Sequence, residues 1–436
     1  MEAYNLVSFA GIFVLLGIAW GLSRLVWHDK GILYHGRVLW WGLVLQFVFA
    51  AGIFLFPPGS RVFLAINDAA VAVIDCASRG AEFVFGPLAL PPGKEGSVGN
   101  ILAFQALPTI IFFSALVSIL YYYRIMPIVI RGFAWLFTRL MRISGAESLC
   151  AASNIFVGVE SSFTVRPFLQ RMTRSELHTI LVAGMATVAS NVLALYVFML
   201  KDTFPAIAGH LISASFISAP AALIMSKLLM PETEEPETLG THVRPHFERH
   251  ENVFDAVIQG ANSGMSVIFG IVAMLIAVLG LVALVNLILG GIAHPVNSLF
   301  NIDVAWTLKN IFAVVFYPFT LIIGIPPADA VRAAQIIGER VVATEVTSYR
   351  HLAEAMAQNA FVHARSPVII TYALCGFAHF ASLSIFIGGI AALVPEKRST
   401  LASIGLRALC AATLACLLTA CVAGTFYNES SILFSR

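Results

Sequence analysis

Apolar residues run along this chain in blocks of about 20, the length a helix needs to cross a hydrocarbon layer of about 30 Å. Eight such blocks predict spanning helices, at 5–27, 38–56, 101–123, 177–200, 207–228, 267–289, 368–393 and 401–426. Segment 61–85 mixes charge with apolar positions, and Arg131, Arg139 and Arg142 punctuate 126–142. Both patterns predict amphipathic helices lying at the membrane interface. Two further segments, 149–169 and 308–346, are apolar yet carry Gly, Pro, Asn and Glu near their middles. A straight span would leave those charges in lipid, at a high cost. A helix that enters and turns back avoids it if its tip is buried in protein or lines a cavity. Both segments are therefore expected to be re-entrant hairpins.

The order hairpin, helix, helix then occurs twice, over 149–228 and 308–426. Arg24, Lys30, Arg37, Arg171, Arg174, Lys227, Arg244, Arg249, Lys397 and Arg398 thread to one side, which is read as the inside, with both termini outside. On that threading the hairpins open to opposite sides, as in transporters built from inverted repeats around a midplane site. The expected fold is an all-α polytopic membrane protein with about eight transmembrane helices and two opposed re-entrant hairpins. Its parts are an N-terminal scaffold (1–142), a first repeat (143–230), a loop (231–254), a long helix with its connection (255–307) and a second repeat (308–436). The loop, with Glu232, Glu234, Glu235 and Glu237, reads as a solvated cytoplasmic linker.

Composition agrees with this pattern. Of the 436 residues, 59% are hydrophobic and 11% charged, against about 25% charged in soluble domains. Mean hydropathy is +0.87. Most of the surface must face a lipid bilayer. A formal charge of +2, without a basic patch interleaved with aromatics, gives no sign of nucleic acid as a partner. The six cysteines include no C-x-x-C pair, which argues against a disulfide framework or a zinc site. The first apolar block is too long for a secretory signal core and lacks a convincing cleavage site, so it reads as a retained helix.

Chemistry concentrates where the pattern is interrupted. Glu160 follows Gly158 at the expected first tip. It is either a buried carboxylate for a polar solute or cation, or a partner of Arg166. Glu345 lies in the second hairpin segment, with a salt bridge to Arg340 or Arg350 as the structural alternative. Glu339, on another helical face, reads as structural or solvated. Thr187, Ser190 and Asn191 interrupt one span, where unwinding would free carbonyls suited to Na⁺. Thr187 and Ser190 can also simply bond their own helix. His379 and Ser382 interrupt another span and share a face at i, i+3.

These segments resemble the concentrative nucleoside transporters. The resemblance is carried by 152–160, 172–196, 338–349 and above all 371–407, which reads TYALCGFAHFASLSIFIGGIAALVPEKRSTLASIGLR. It covers roughly residues 145–424, and it implies a trimeric assembly. The family's first tip reads G-Q-T-E; here Gly158-Val159-Glu160 matches with one position deleted. Val159 then stands where the family reads the base with Gln and Thr. The cation ligands carry over to Asn154 and Thr187, with the carbonyls of Val157 and Val188. The ribose-binding glutamate carries over to Glu345. The aromatic, amide and serine of the second interrupted helix become Phe377, His379 and Ser382, and Val192 lines the pocket wall.

The resemblance implies a multi-pass symporter of the inner membrane that imports nucleosides, coupled to Na⁺ or H⁺. With Gln and Thr lost and asparagine replaced by His379, the solute is expected to be a modified or C-linked nucleoside such as pseudouridine. A symporter for nucleobases or another small polar metabolite is the alternative. A membrane-embedded enzyme is disfavoured, because Glu160, Glu345 and His379 have no recognised catalytic spacing. A sensor or channel reading lacks an appended signalling domain.

Overall fold

The computed structural model describes residues 3–27, 36–91, 94–99, 101–158, 160–247, 250–300 and 305–428. Among the described residues the regular structure is entirely helical. Apolar helices α1 (Ala3–Leu25) and α2 (Gly36–Phe54) come first, followed by the amphipathic α3 (Pro57–Phe85). A short turn, α4 (Leu102–Gln105), leads into α5 (Pro108–Tyr122) and then α6 (Ile125–Met141). As the charge pattern predicted, α3 and α6 each have one apolar face.

The first hairpin has α7 (Gly145–Asn154) as its entering arm and the single turn α8 (Ser161–Thr164) in its return. The arm begins earlier than hydropathy indicated because Ser144 and Glu147 form a capping box. Another capping box, Thr173 with Glu176, starts α9 (Arg174–Ala186). The chain then loses helical form over 187–189 and resumes as α10 (Ser190–Leu200). Helix α11 (Ile207–Leu229) follows and leads into the loop.

Helix α12 (Val253–Phe300) has 48 residues, so it is about 70 Å long and far exceeds one bilayer core. It packs along α5. Next come α13 (Leu308–Ile322), α14 (Pro327–Val342), α15 (Glu345–Ala357), α16 (Arg365–Leu374), α17 (Phe380–Leu393) and α18 (Arg398–Thr425). The expected seventh span, 368–393, is thus two pieces, broken at 375–379. Among the described residues the remaining candidate spans are seven continuous or nearly continuous apolar stretches.

The second hairpin lies one element later than hydropathy alone placed it. Within 308–346, Gly324 (φ +84°) and the Pro326-Pro327 pair part α13 from α14. The turn that bears Glu345 lies between α14 and α15, where Thr344 caps α15 by accepting from the backbone N–H of Thr347. The element order α5, α6, hairpin, broken helix, α11 therefore recurs as α12, α13, hairpin, broken helix, α18. Burial separates the centre from the rim. The apolar windows of α9–α10, α11 and α18 are 83–89% buried, whereas none of α12's window is.

The loop is not simply solvated. Its first half is stapled to the base of the first hairpin: Gly145 N–H donates to Thr238 O (2.8 Å) and Gly240 N–H to Ile143 O (3.2 Å). Further on, His246 N–H donates to Thr164 O (2.9 Å). Beneath this loop Lys227 forms a buried ion pair with Glu147, with Glu232 at 3.6 Å.

Candidate substrate and cation site

The two broken helices meet at their breaks. Gly376 holds φ +146°, and a Cβ there would come 2.7 Å from Cys416 Sγ and 2.8 Å from Met185 O, the end of α9. Only glycine fits so close a crossing. The first hairpin closes on the same region: Ser190 N–H, at the start of α10, donates to Phe156 O (3.0 Å). The second break thus abuts the end of α9, and the first hairpin abuts the start of α10.

Between them lies a cavity of about 490 Å³ lined by Gly158, Glu160, Val192, Glu345, Phe377, His379 and Ser382, with Asn191, Thr344 and α12's Ser263 and Ser266. That volume lies within the ~300–1,000 Å³ range of small-molecule sites. Six of the seven residues expected to meet the solute thus share one wall. The seventh, Val159, lies outside the described residues.

Glu345 is buried, and its partners are neither Arg340 nor Arg350. Tyr196 Oη donates to Glu345 Oε1 (2.7 Å), and His379 Nε2 lies 2.6 Å from Oε2. Arg350 instead pairs with Glu354. His379 is itself the N-cap of α17: its Nδ1 accepts the Ser382 N–H at 3.1 Å. An accepting Nδ1 carries no proton, so the ring hydrogen of the neutral imidazole sits on Nε2, the nitrogen beside the carboxylate. Ser382 Oγ is turned back onto the Phe377 and His379 carbonyls.

Glu160 is half-buried and forms no ion pair with Arg166 among the described residues; its Oε2 lies close over Gly158. It also lines a second cavity, of about 360 Å³, together with Asn191, Ser263, Arg166, His246 and His250. Glu160, Asn191 and Ser263 line both cavities, so Glu160 stands between them. Glu339 is structural, bonded by His351 Nδ1 (2.6 Å) with Lys309 at 3.6 Å.

Tyr196 was missed by reading the sequence. A tyrosine in the middle of an apolar span needs a partner for its hydroxyl, and that was the available signal. Asn191 was noted as polar but not placed in the cavity.

Asn154 and Thr187 are fully buried beside these breaks. Asn154 Nδ2 donates to Cys150 O (3.1 Å), and its Oδ1 has no partner. Thr187 donates its hydroxyl proton to Ala183 O (2.9 Å), leaving oxygen lone pairs. An orphaned amide oxygen, a hydroxyl oxygen and non-helical carbonyls are hard donors, the set that suits Na⁺.

Hairpin tips and broken helices around a central cavity mark a multi-pass membrane protein built like a transporter. Three family descriptions match: Na⁺ dependent nucleoside transporter N-terminus over 10–88, nucleoside recognition over 103–203, and Na⁺ dependent nucleoside transporter C-terminus over 210–424. A Haemophilus influenzae transporter is 39% identical, with 97% of each chain covered. Mouse solute carrier family 28 member 3 is 37% identical over 96% of this chain, which spans only 58% of that relative's length. The structure of CNTnw in an inward-facing substrate-bound state matches with TM-score 0.85 and 33% identity, covering 97% of this chain and 98% of that one. The chain belongs to the Na⁺ dependent nucleoside transporter family.

Proposed function

We propose that this protein imports nucleosides by symport, holding the sugar with Glu345, His379 and Ser382 and the base near Glu160, Val192 and Phe377. The convergence of both hairpin tips and both broken helices on one cavity carries this reading. Glu345 supplies a buried acceptor for sugar hydroxyls, and Phe377 a ring face for the base. Val159 offers neither donor nor acceptor where base readers are expected, and the His379 ring stands against an acceptor oxygen of Glu345. Both features favour a modified or C-linked nucleoside such as pseudouridine.

Na⁺ is the coupling ion in this reading, held by Asn154 and Thr187 with the carbonyls of Val157 and Val188; the unpartnered Asn154 Oδ1 supports it. A second reading, proton coupling, is favoured by the imidazole facing Glu345. A homotrimer, which the family resemblance implies, belongs to this reading, and light scattering in detergent tests it.

The deciding experiment is uptake into proteoliposomes of uridine, pseudouridine, adenosine and free bases, with Na⁺ and pH gradients imposed separately. Nucleoside uptake driven by Na⁺ is expected. Uptake of free bases alone would overturn the solute reading, and drive by pH alone would overturn the ion reading.

A further inference from the structure

The two repeats carry different groups at equivalent places. In the first, Asn154 ends the hairpin's entering arm and Thr187 begins the break after α9. In the second, the last turn of the entering arm α14 carries Arg340, and the break after α16 begins at Cys375.

Arg340 is fully buried, and its Nη1 donates to Ala373 O at 2.6 Å. That oxygen is among the last carbonyls of α16, which the helix itself cannot satisfy. Nε and Nη2 have no hydrogen-bond partner. No carboxylate pairs with Arg340 among the described residues: Glu339 is taken by His351 and Lys309, Glu345 by His379 and Tyr196. A buried guanidinium without a counter-ion is costly. What offsets it here is the negative end of a half-helix, worth about half an elementary charge. A cation at the end of α9 would meet the same potential.

We propose that Arg340 is a tethered cation, occupying in the second repeat the place that the coupling cation takes in the first. The second hairpin is thereby locked to the break in α16 whether or not Na⁺ is bound. Coupling runs through the first hairpin alone, with one cation per solute. This rests on reading Asn154 and Thr187 as the cation site.

The test measures Na⁺ activation of uptake, and the ratio of charge to solute at the reversal potential, in proteoliposomes. Wild-type protein and Arg340→Lys are expected to show one cation per solute and non-cooperative activation. In Arg340→Gln, uptake at low Na⁺ falls by about tenfold or more, the scale for a cation at a partly buried helix C-terminus. It is recovered by added guanidinium, or by high Na⁺ with activation turning cooperative. Arg340→Gln that matches the wild type in activation and stoichiometry would overturn the proposal, as would a folded variant answering to neither cation. If Arg340→Gln does not fold, Arg340→Lys decides: wild-type stoichiometry supports the proposal and its loss refutes it. Asn154→Ala, run in parallel, separates the two readings. Unchanged Na⁺ activation there sinks the first-repeat cation site, whereas an altered one leaves Arg340 to be judged by its own variants.

Discussion

His379 Nε2 lies 2.6 Å from Glu345 Oε2, while Nδ1 of the same ring accepts the Ser382 N–H that opens α17. One side chain thus ends a break in a helix and orients a carboxylate from the opposing hairpin. Because Nδ1 accepts at the cap, Nε2 is the ring nitrogen left facing Glu345. The carboxylate is held on its other side by Tyr196 (2.7 Å), so it is aimed before any solute arrives.

His379→Asn separates these two roles. Asparagine caps helices well, so α17 should persist and thermal stability should change by less than about 1 kcal/mol. The ring beside Glu345 is lost, and the oxygen it covers becomes available to a sugar hydroxyl. Unmodified uridine is expected to bind several-fold tighter in a titration of purified protein. His379→Ala, which loses cap and ring together, should lower the melting temperature without that gain. Weaker uridine binding by His379→Asn would contradict this role for the ring.

Glu345→Gln tests whether the sugar is held by charge. Hydrogen bonds to an ionised group are worth about 1.5–3 kcal/mol, so nucleoside affinity should fall roughly 10- to 150-fold. Free bases, which lack the sugar, should be bound no worse than by the wild type. An equal loss for both would mean that Glu345 does not contact ribose.

Spanning helices were legible because 20 apolar residues in a row have few other uses, and the breaks because Gly376, Asn191 and His379 interrupt them. The second tip was not. Gly324 with Pro326-Pro327 is a louder turn signal than Thr344, yet the weaker signal, a threonine cap, carries the functional turn. Partners distant in sequence were also invisible. Tyr196 and Glu345 are 149 residues apart, and hydropathy carries no term for pairing across repeats. The loop's contacts were hidden for the same reason: its acidic residues are largely exposed, as expected, but Thr238 and His246 bond to hairpin backbone that composition cannot reveal.

Gly376→Ala should disturb the crossing of the two breaks. Its φ of +146° is strained for any side chain, and the new Cβ would meet Cys416 Sγ and Met185 O. A strained backbone costs about 1–3 kcal/mol before the clash is counted. Lower melting temperature together with lost uptake is expected, and wild-type values in both would show that the crossing is loose.

Lys227 and Glu147 form a buried pair, with 4% and 1% of their side chains exposed. Removing one partner strands the other, at about 3–5 kcal/mol. Lys227→Met alone should therefore express poorly and melt early. Lys227→Met with Glu147→Leu should recover most of the loss, because an apolar pair carries no desolvation cost. A double variant as unstable as the single one would mean that the pair's worth lies in its bonds to Ser175 and Ser144.

Asn154→Ala bears on the coupling ion. In the structure its Nδ2 makes only neutral hydrogen bonds, to Cys150 O and, weakly, to Cys150 Sγ, so the direct stability loss should be only about 1 kcal/mol. Its unpartnered Oδ1, by contrast, is a direct cation ligand in the proposed site. The Na⁺ concentration for half-maximal uptake should therefore rise about tenfold or more, the effect of some 1.4 kcal/mol, while nucleoside affinity at saturating Na⁺ stays near the wild-type value. Thr187→Ala should shift it in the same direction but less, since the neighbouring carbonyls remain. If both variants respond to Na⁺ as the wild type does while a pH gradient alone drives uptake, the cation is a proton, and the Glu345–His379 pair becomes the place to look for it.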